Sequence, residues 1–224
     1  MKVSFCTTCK GRLWQLRETL PYNVNMLEDD CEIILLDYHS EDGLKEFVFE
    51  HYQEELENGI LKYFYLTHDY KFTMSYAKNV AHKLATGEIL FNLDGDNLIY
   101  EGMVDELRKL RSNEIFIPRY DHREKEGSYG RLGYRRELFY SLNGYDETIV
   151  GMLADDYDLV QRSKNLPFPV KYVRASKVVE AIQNTRAQKD LFVNVTELET
   201  VPVNYPEQWG VATVLDRHAK VIEL

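Results

Sequence analysis

Two aspartates separated by one glycine, Asp94 and Asp96, follow the apolar run of residues 88–93. Their carboxylates would repel each other in a dry pocket, so the spacing has two interpretations. One is an Asp-Gly turn after a buried strand. The other is a site for a divalent cation, because carboxylate oxygens are ligands that suit Mg²⁺ and Mn²⁺. The spacing alone leaves both interpretations open.

Three further carboxylates occupy positions where they could do chemistry. Asp155 and Asp156 are adjacent and open a helical pattern. Such a pair could accept a proton as a general base, or could simply favour the positive end of the helix. Asp37 ends a second apolar run, where a carboxylate can accept hydrogen bonds from a ribose hydroxyl or a base N–H. It could equally begin a turn.

The cysteines give no comparable signal. Cys6 and Cys9 have the C-x-x-C spacing of redox and zinc sites. A redox motif needs a helix that begins at the first cysteine, whereas Cys6 ends a strand-like run. A zinc site needs a second ligand pair, and the sequence has none nearby. With Cys31 the count is odd and small, which is typical of a reducing compartment.

The pattern of apolar residues predicts alternating strands and helices that would position these carboxylates. The order βαβαβαβαβ predicts an α/β fold with a mostly parallel sheet, and ligands bind beyond the carboxyl ends of such strands. We predict strands at residues 2–7, 31–38, 60–66, 88–93, 114–118 and 169–175, and helices at 12–20, 43–56, 75–87, 102–110, 135–147 and 154–167, with Pro21 interrupting the first helix.

The second half of the chain is less regular. Residues 121–134 are polar and contain three glycines, which predicts a mobile loop that could close over a ligand. The segment from about residue 185 has no clear pattern. Because we find no repeat or linker, we expect one domain over 1–224.

Composition excludes several classes of function. The chain of 224 residues has 27 basic and 37 acidic residues, which argues against a nucleic-acid-binding surface. With 44% hydrophobic residues and no apolar run near the ~18 residues of a membrane span, it is typical of a globular protein. The first residues lack the apolar core of a signal peptide. We therefore expect a cytoplasmic protein, either free or at the inner face of the membrane.

The motifs as a set resemble a known family. "SFCTTCKGRLWQLRETLPYNV", "EIILLDYHSEDG", "SYAKNVAHKLATGEILFNLDGDN" and "GYRRELFYSLNGYDETIVGMLADDYDL" occur in the order seen in family 2 glycosyltransferases. The resemblance covers roughly residues 1–165 and implies a nucleotide-sugar-binding half at about 1–97 and an acceptor-binding half with the C-terminal segment at about 98–224. It implies the GT-A fold, with a Rossmann-like central sheet, and transfer of a sugar from a nucleotide diphosphate donor to an acceptor hydroxyl, usually with inversion and a divalent metal.

The resemblance implies roles on the donor side. The stretch Asp94–Asp96 matches the family's DXD motif, so Asp96 would bind Mn²⁺ or Mg²⁺, and Asp94 would contact the ribose or the metal. Asp37 and Thr7 would bind the nucleoside, with Arg12 as a weaker candidate. The family makes a UDP-sugar the first expectation.

The resemblance also implies further roles in donor binding, in general-base catalysis and in metal binding. Lys78 and Asn79 would contact the donor, although the family usually has arginine at the position of Lys78, and lysine lacks the bidentate fork. The general base would come from the acid pair, with Asp156 preferred over Asp155; the commoner family pair is Glu–Asp. His218, near Trp209–Gly210, would be an additional metal ligand, as in some relatives.

Two other functions remain open. A sugar-phosphate nucleotidyltransferase would need a glycine-rich phosphate loop after the first strand, and "CTTCKGRL" has one glycine there. A binding module of the same fold would have lost the chemistry, whereas this chain keeps carboxylates at every expected place. We therefore expect an enzyme that glycosylates a glycan or a lipid-linked sugar, as in polysaccharide biosynthesis.

Overall fold

The computed structural model describes residues 1–68, 71–119, 130–149, 154–185 and 205–224. These residues form a sheet with the strand order β7-β5-β6-β4-β1-β2-β3-β8-β9. The strands are β1 (Val3–Cys9), β2 (Cys31–Asp37), β3 (Leu61–Leu66), β4 (Ile89–Asn92), β5 (Glu114–Arg119), β6 (Gly133–Arg135), β7 (Lys171–Val178), β8 (Thr213–Asp216) and β9 (Val221–Glu223).

The centre of the sheet is parallel, which confirms the predicted fold class. Strands β4, β1, β2 and β3 pair in parallel, with Val3 opposite both Ile89 and Cys31. Every residue of β2, "CEIILLD", is buried, because helices cover both faces of a sheet of this kind. Strands β6, β8 and β9 are antiparallel to their neighbours.

The helices differ from the predicted ones in three places, and one of these is the predicted helix 135–147, which ends at Ser141 because Asn143 and Gly144 have positive φ. The observed helices are α1 (Leu13–Asn25), α2 (Leu44–His51), α3 (Gln53–Asn58), α4 (Met74–Leu84), α5 (Met103–Arg108), α6 (Arg136–Ser141) and α7 (Asp155–Ser163). The predicted interruption at Pro21 is wrong: α1 continues past it, and its last turn is fixed through Asn23, which bonds the loop after β4. The predicted helix 43–56 is broken at Tyr52, whose φ of −127° is not helical.

The prediction of a mobile loop over residues 121–134 fails for its described end. Gly133 and Tyr134 belong to β6, which lies between β4 and β5 and pairs with both. Arg131 and Leu132 are also buried, at 0% and 2% exposure. Residues 121–129 of the predicted loop lie outside the described residues.

Two apolar cores lie on opposite faces of the sheet, and the sheet separates the two cysteines of the C-x-x-C spacing. Cys9 packs into one core and Cys6 into the other, because residues three apart on a strand face opposite ways. Burial raises the pKa of both thiols, that of Cys9 to about 12. Neither thiol is therefore a nucleophile or a partner for the other. Among the described helices, none is long and apolar enough to cross a bilayer.

Candidate active site

The loop that carries Asp94 and Asp96 follows the carboxyl end of β4 and is hydrogen-bonded to the neighbouring strand β1. The Thr7 hydroxyl donates to the carbonyl of Leu93 over 2.8 Å. The side-chain amide of Asn92 donates to Asp94 Oδ1 over 2.9 Å, and the Asn97 N–H closes a turn onto the Asp94 carbonyl at 2.9 Å. Thr7 is 3% exposed, so the structure shows it fixing this loop.

Helix α1 holds the same loop from the side with a buried polar stripe. Gln15, Thr19 and Asn23 are spaced four residues apart and therefore share one helix face. The Thr19 hydroxyl donates to the Gly95 carbonyl at 2.7 Å. The Asn23 amide donates to the Asn97 carbonyl at 2.8 Å, and its oxygen accepts from the Ile99 N–H at 2.8 Å. Sequence analysis missed this stripe, although three polar residues at that spacing were visible.

Asp96 is surrounded by amides and guanidinium groups. Its Oδ2 accepts a hydrogen bond of 2.9 Å from Asn184, which also accepts one of 2.8 Å from Arg12. Its Oδ1 accepts from Asn97, which in turn bonds the fully buried Arg131. Burial raises the pKa of Asp96 to about 6, and the nearby Asp94 carboxylate acts in the same direction against Arg131 and Asn184.

The donor atoms at Asp94 and Asp96 fit a divalent cation. Within the described residues, no group of three or more His, Cys, Asp or Glu side chains is arranged as a metal site. Two carboxylates are nonetheless what Mg²⁺ and similar hard cations commonly take from a protein, with phosphate oxygens and water completing the shell. Burial and the neighbouring Asp94 carboxylate both raise the pKa of Asp96, and a cation placed at the two acids would relieve their repulsion.

The acid pair of α7 is bound by one lysine. Lys78 Nζ, on α4, lies 2.8 Å from Asp155 Oδ2 and 2.8 Å from Asp156 Oδ1. It is also 4.9 Å from the centre of the Tyr145 ring. Lys78, Asp155 and Asp156 are 2%, 1% and 6% exposed. Adjacent residues on a helix point about 100° apart, yet both carboxylates bend toward the same ammonium group.

The charges of this cluster do not cancel. Burial alone would lower the pKa of Lys78, but Asp155 and Asp156 raise it above the usual value, so the lysine is charged. Burial raises the pKa of Asp156 to about 7; Lys78 opposes the rise, while Asp155 and Asp94 add to it. A single ammonium thus faces two carboxylates inside the protein, with a third nearby.

Gly130 joins the two acidic groups. A side-chain Cβ at this position would lie 2.7 Å from Asp156 Oδ2 and 3.2 Å from Asp94 Oδ2. The Gly130 carbonyl accepts a hydrogen bond of 2.7 Å from Asn92, which fixes the glycine against β4. The carboxylates of the DXD loop and of the acid pair therefore meet across one glycine, without space for a methyl group.

Some predicted donor-binding residues are enclosed by protein. Asp37 is 1% exposed and accepts hydrogen bonds of 2.6 Å from the Tyr63 hydroxyl and 2.8 Å from the Ser40 N–H. Burial raises its pKa. Asn79 is 0% exposed and donates to Glu147 at 2.7 Å. Asp37 and Asn79 are thus bonded to other protein groups, and Lys78 is bonded to the acid pair.

His218 lies away from the DXD loop. It is exposed in the turn between β8 and β9. Because β8 runs antiparallel to β3, with Asp216 opposite Phe64, this turn is at the edge where the parallel strands begin. Asp96 follows a strand end at the opposite edge. Trp209 packs on Phe139, so the neighbouring segment belongs to the core. We therefore leave His218 out of the proposed metal site.

Solved structures with this fold are glycosyltransferases. The mannosyltransferase PcManGT from Pyrobaculum calidifontis, in complex with GDP-Man and Mn²⁺, has a TM-score of 0.67 and 20% identity over 84% of this chain and 58% of its own. GalNAc-T7 with UDP, GalNAc and Mn²⁺ has a TM-score of 0.64 and 17% identity over 84% and 45%. The catalytic domain of Drosophila beta1,4galactosyltransferase 7, in complex with xylobiose, has a TM-score of 0.62 and 14% identity over 95% and 84%.

The parallel-centred sheet and these likenesses define a protein of the GT-A fold. The chain belongs to glycosyl transferase family 2, whose sequence model matches residues 4–166, more than half of its length. It spans 58% of the mannosyltransferase chain and 45% of the GalNAc-T7 chain. None of the curated proteins matches the sequence.

Proposed function

We propose that the protein transfers a sugar from a nucleotide diphosphate sugar to an acceptor hydroxyl, with inversion at the anomeric carbon. The observation that carries the proposal is the meeting of Asp94 Oδ2 and Asp156 Oδ2 across Gly130. It brings a metal-type carboxylate and a base-type carboxylate to one place at the carboxyl edge of the sheet. Complexes of relatives with GDP-Man or with UDP, each with Mn²⁺, support a donor of this class; UDP is our first choice.

On the donor side, we assign the pyrophosphate to the space in front of Asp94 and Asp96. A bound Mn²⁺ or Mg²⁺ would neutralise charge on the diphosphate as it leaves the sugar. Arg12 and Asn184 hold Asp96 in position, and α1 fixes the backbone beneath it. This arrangement keeps two like charges at a fixed spacing before the donor arrives, which is the preorganisation that such catalysis needs.

On the acceptor side, we assign the general base to Asp156. As the acceptor oxygen bonds to the anomeric carbon and the bond to the diphosphate breaks, the hydroxyl proton passes to a carboxylate oxygen of Asp156. A pKa of about 7 suits this role, since a base works best near the ambient pH. Lys78 favours the charged form that can accept a proton. Asp155 would bind another acceptor hydroxyl.

The test is a transfer assay with nucleotide-sugars and Mn²⁺, read out as release of nucleoside diphosphate. Asp96→Asn should remove metal-dependent donor binding. Asp156→Asn should slow transfer by about 10²- to 10⁴-fold with donor binding nearly intact, and Asp155→Asn should mainly raise the acceptor KM. Asp105→Asn, on the exposed surface of α5, is the matched control.

The outcomes separate the proposal from its alternatives. Release of pyrophosphate from a nucleoside triphosphate, when a sugar phosphate is added, would identify a nucleotidyltransferase. Donor binding without any turnover would identify a binding module. If calorimetry shows equal donor binding with chelator and with Mn²⁺, the assignment of the metal to Asp94 and Asp96 is wrong. If Asp155→Asn, but not Asp156→Asn, slows the chemical step, the base is Asp155.

A further inference from the structure

The segment from the second half of α7 through β7 is basic in an otherwise acidic protein. The chain has a formal net charge of −10, yet residues 159–179 contain five basic residues and no acidic one. The same segment exposes two large aromatic side chains, Phe168 at 41% and Tyr172 at 37%. Exposed charge is ordinary on a protein surface, but the combination of one sign with exposed aromatic rings is typical of an interaction site.

These side chains lie around the end strand of the sheet, and we call them the basic-aromatic patch. The Tyr172 hydroxyl lies 3.0 Å from Ser163 Oγ, so the start of β7 contacts the last turn of α7. Alternate residues of a strand share a face, which places Arg174 beside Tyr172 and Lys171 on the opposite face of the same exposed strand. The patch consists of Lys164, Phe168, Lys171, Tyr172 and Arg174. It occupies one end of the sheet, because β7 pairs with β5 and is the last strand in the described order.

The cations of the patch are not neutralised by the protein. Within the described part of the chain, Lys164, Lys171 and Arg174 take part in none of the salt bridges. Lys164 bonds only the neutral Gln161, at 2.7 Å. Glu114 lies opposite Lys171 in the strand register, but its carboxylate is 3.1 Å from Arg111 instead. Three cations without a carboxylate partner among the described residues are therefore exposed around this strand, together with two aromatic rings.

We propose that the basic-aromatic patch docks the protein on an anionic lipid surface. Lys and Arg near such a surface each add attraction, and Tyr and Phe settle at the level of the headgroups. The net charge of −10 repels an anionic membrane everywhere else, so the patch also fixes the orientation of the protein.

Docking of the protein through the patch would place the acid pair near the membrane surface. Asp155 and Asp156 begin α7, and the patch lies at its other end, about 13 Å away for a nine-residue helix. Docking through the patch would keep the acid pair close to the headgroups, where the hydroxyl of a lipid-linked acceptor would lie. Binding to lipid requires neither donor nor catalysis, so it can be measured whether or not the proposed transfer reaction is correct.

The experiment is co-sedimentation of the full chain with vesicles, in the absence of any nucleotide. Vesicles of phosphatidylcholine with about one third phosphatidylglycerol should bind the protein, and pure phosphatidylcholine should not. The triple variant Lys164→Gln/Lys171→Gln/Arg174→Gln should lose on the order of 100-fold in binding, from about fivefold per cation. Phe168→Ser/Tyr172→Ser should also weaken binding at unchanged charge.

A control variant tests whether position or net charge matters. Lys45→Gln/Lys109→Gln/Lys220→Gln changes the net charge equally at exposed sites elsewhere and should bind like the unaltered protein. Equal loss in the control, no loss in the patch variant, or equal binding to neutral vesicles would each overturn the proposal. So would binding of soluble polyphosphate through the patch without binding to vesicles. Circular dichroism of each variant confirms that it is folded.

Discussion

Lys78 compensates charge that the protein could not otherwise keep inside. Its ammonium group lies at 2.8 Å from both Asp155 and Asp156, and all three groups are nearly inaccessible to water. A buried pair of this kind adds little net stability compared with apolar residues, but the loss of one partner is costly because a charge is left uncompensated. The lysine therefore holds together the acids to which we assign the acceptor chemistry.

Removal of the Lys78 charge should destabilise the fold, and removal of an acid should reverse part of the effect. We expect Lys78→Met to lower the free energy of unfolding by about 3–5 kcal/mol, since two carboxylates lose their counter-ion. The double variant Lys78→Met/Asp155→Asn should be more stable than the sum of the single changes predicts. Urea unfolding at pH 7.5 measures both. Strict additivity would show that the three groups are not energetically coupled.

Two glycines beside the acidic groups should respond differently to the same substitution. At Gly130 a Cβ would lie 2.7 Å from Asp156 Oδ2, so Gly130→Ala must displace that carboxylate and should lower kcat for transfer by tenfold or more. At Gly95, inside the DXD motif, a Cβ would meet Leu16 at 3.6 Å, an ordinary contact. Gly95→Ala should therefore retain activity within a factor of a few. Equal loss in both variants would contradict the steric role of Gly130.

At the scale of elements, α4 connects the acid pair to the core. Its residue His82 is fully buried, with Nδ1 2.7 Å from the Lys78 carbonyl and its ring stacked 4.7 Å from that of Phe139 on α6. Burial lowers the pKa of His82 to about 3. The imidazole is thus neutral in the folded protein over the physiological range, and α4 packs around an uncharged ring.

The His82 ring should make the fold sensitive to acid. In the unfolded chain its pKa is about 6.5, so between pH 6.5 and 3 the unfolded state binds one proton more than the folded state. The stability due to the neutral ring is therefore lost as pH falls, by about 1.4 kcal/mol per unit. The raised pKa values of Asp96 and Asp156 act oppositely, because the folded state then binds the extra proton.

The difference between variants isolates the contribution of His82. We expect His82→Phe to have a less acid-sensitive free energy of unfolding than the unaltered protein between pH 6.5 and 5. His218→Phe, at an exposed position, should leave the pH dependence unchanged. Urea titrations at half-unit pH intervals provide the comparison. Parallel curves for His82→Phe and the unaltered protein would mean that the imidazole is protonated in the folded state.

The sequence predicted the elements with strong periodicity and missed those fixed by distant contacts. The apolar runs that became β1 to β5 were recognised, because full burial leaves a continuous apolar stretch. Strand β6 was not, since its three residues carry no pattern and are ordered by pairing with both β4 and β5. The resemblance predicted a donor contact for Lys78, and no sequence pattern could show that its ammonium group bonds the buried Asp155, 77 residues away.

For the site as a whole, residue types were easier to predict than partners. Asp94, Asp96 and the acid pair were identified from the sequence, and their assigned roles remain proposals. Asn184 and Gly130 were not identified, because a lone asparagine or glycine is not a signal. Their positions follow from tertiary structure: Asn184 contacts Asp96 across 88 residues of chain.

At the scale of the whole molecule, a bound donor should stabilise the fold by mass action. We expect the melting temperature to rise with a matching nucleoside diphosphate only when Mn²⁺ is present, and by several degrees at ligand concentrations about 100 times Kd. A panel of UDP, GDP and their sugars identifies the base. Asp96→Asn should lose the metal-dependent part of the shift, whereas Asp105→Asn should keep it. A shift that survives chelation would contradict the metal assignment.

The hydrogen bonds that hold Asp96 and its loop affect the order in which the chain can fold during synthesis. Strands β1 and β4 and helix α1 supply the DXD loop and its lower support from residues that leave the ribosome early. The hydrogen bond that Asp96 accepts from Asn184 comes from a residue 88 positions later. A nascent chain can therefore build the sheet centre before Asp96 has all the groups that hold it. A polypeptide that stops before Asn184 would carry the carboxylates of the DXD loop without this support.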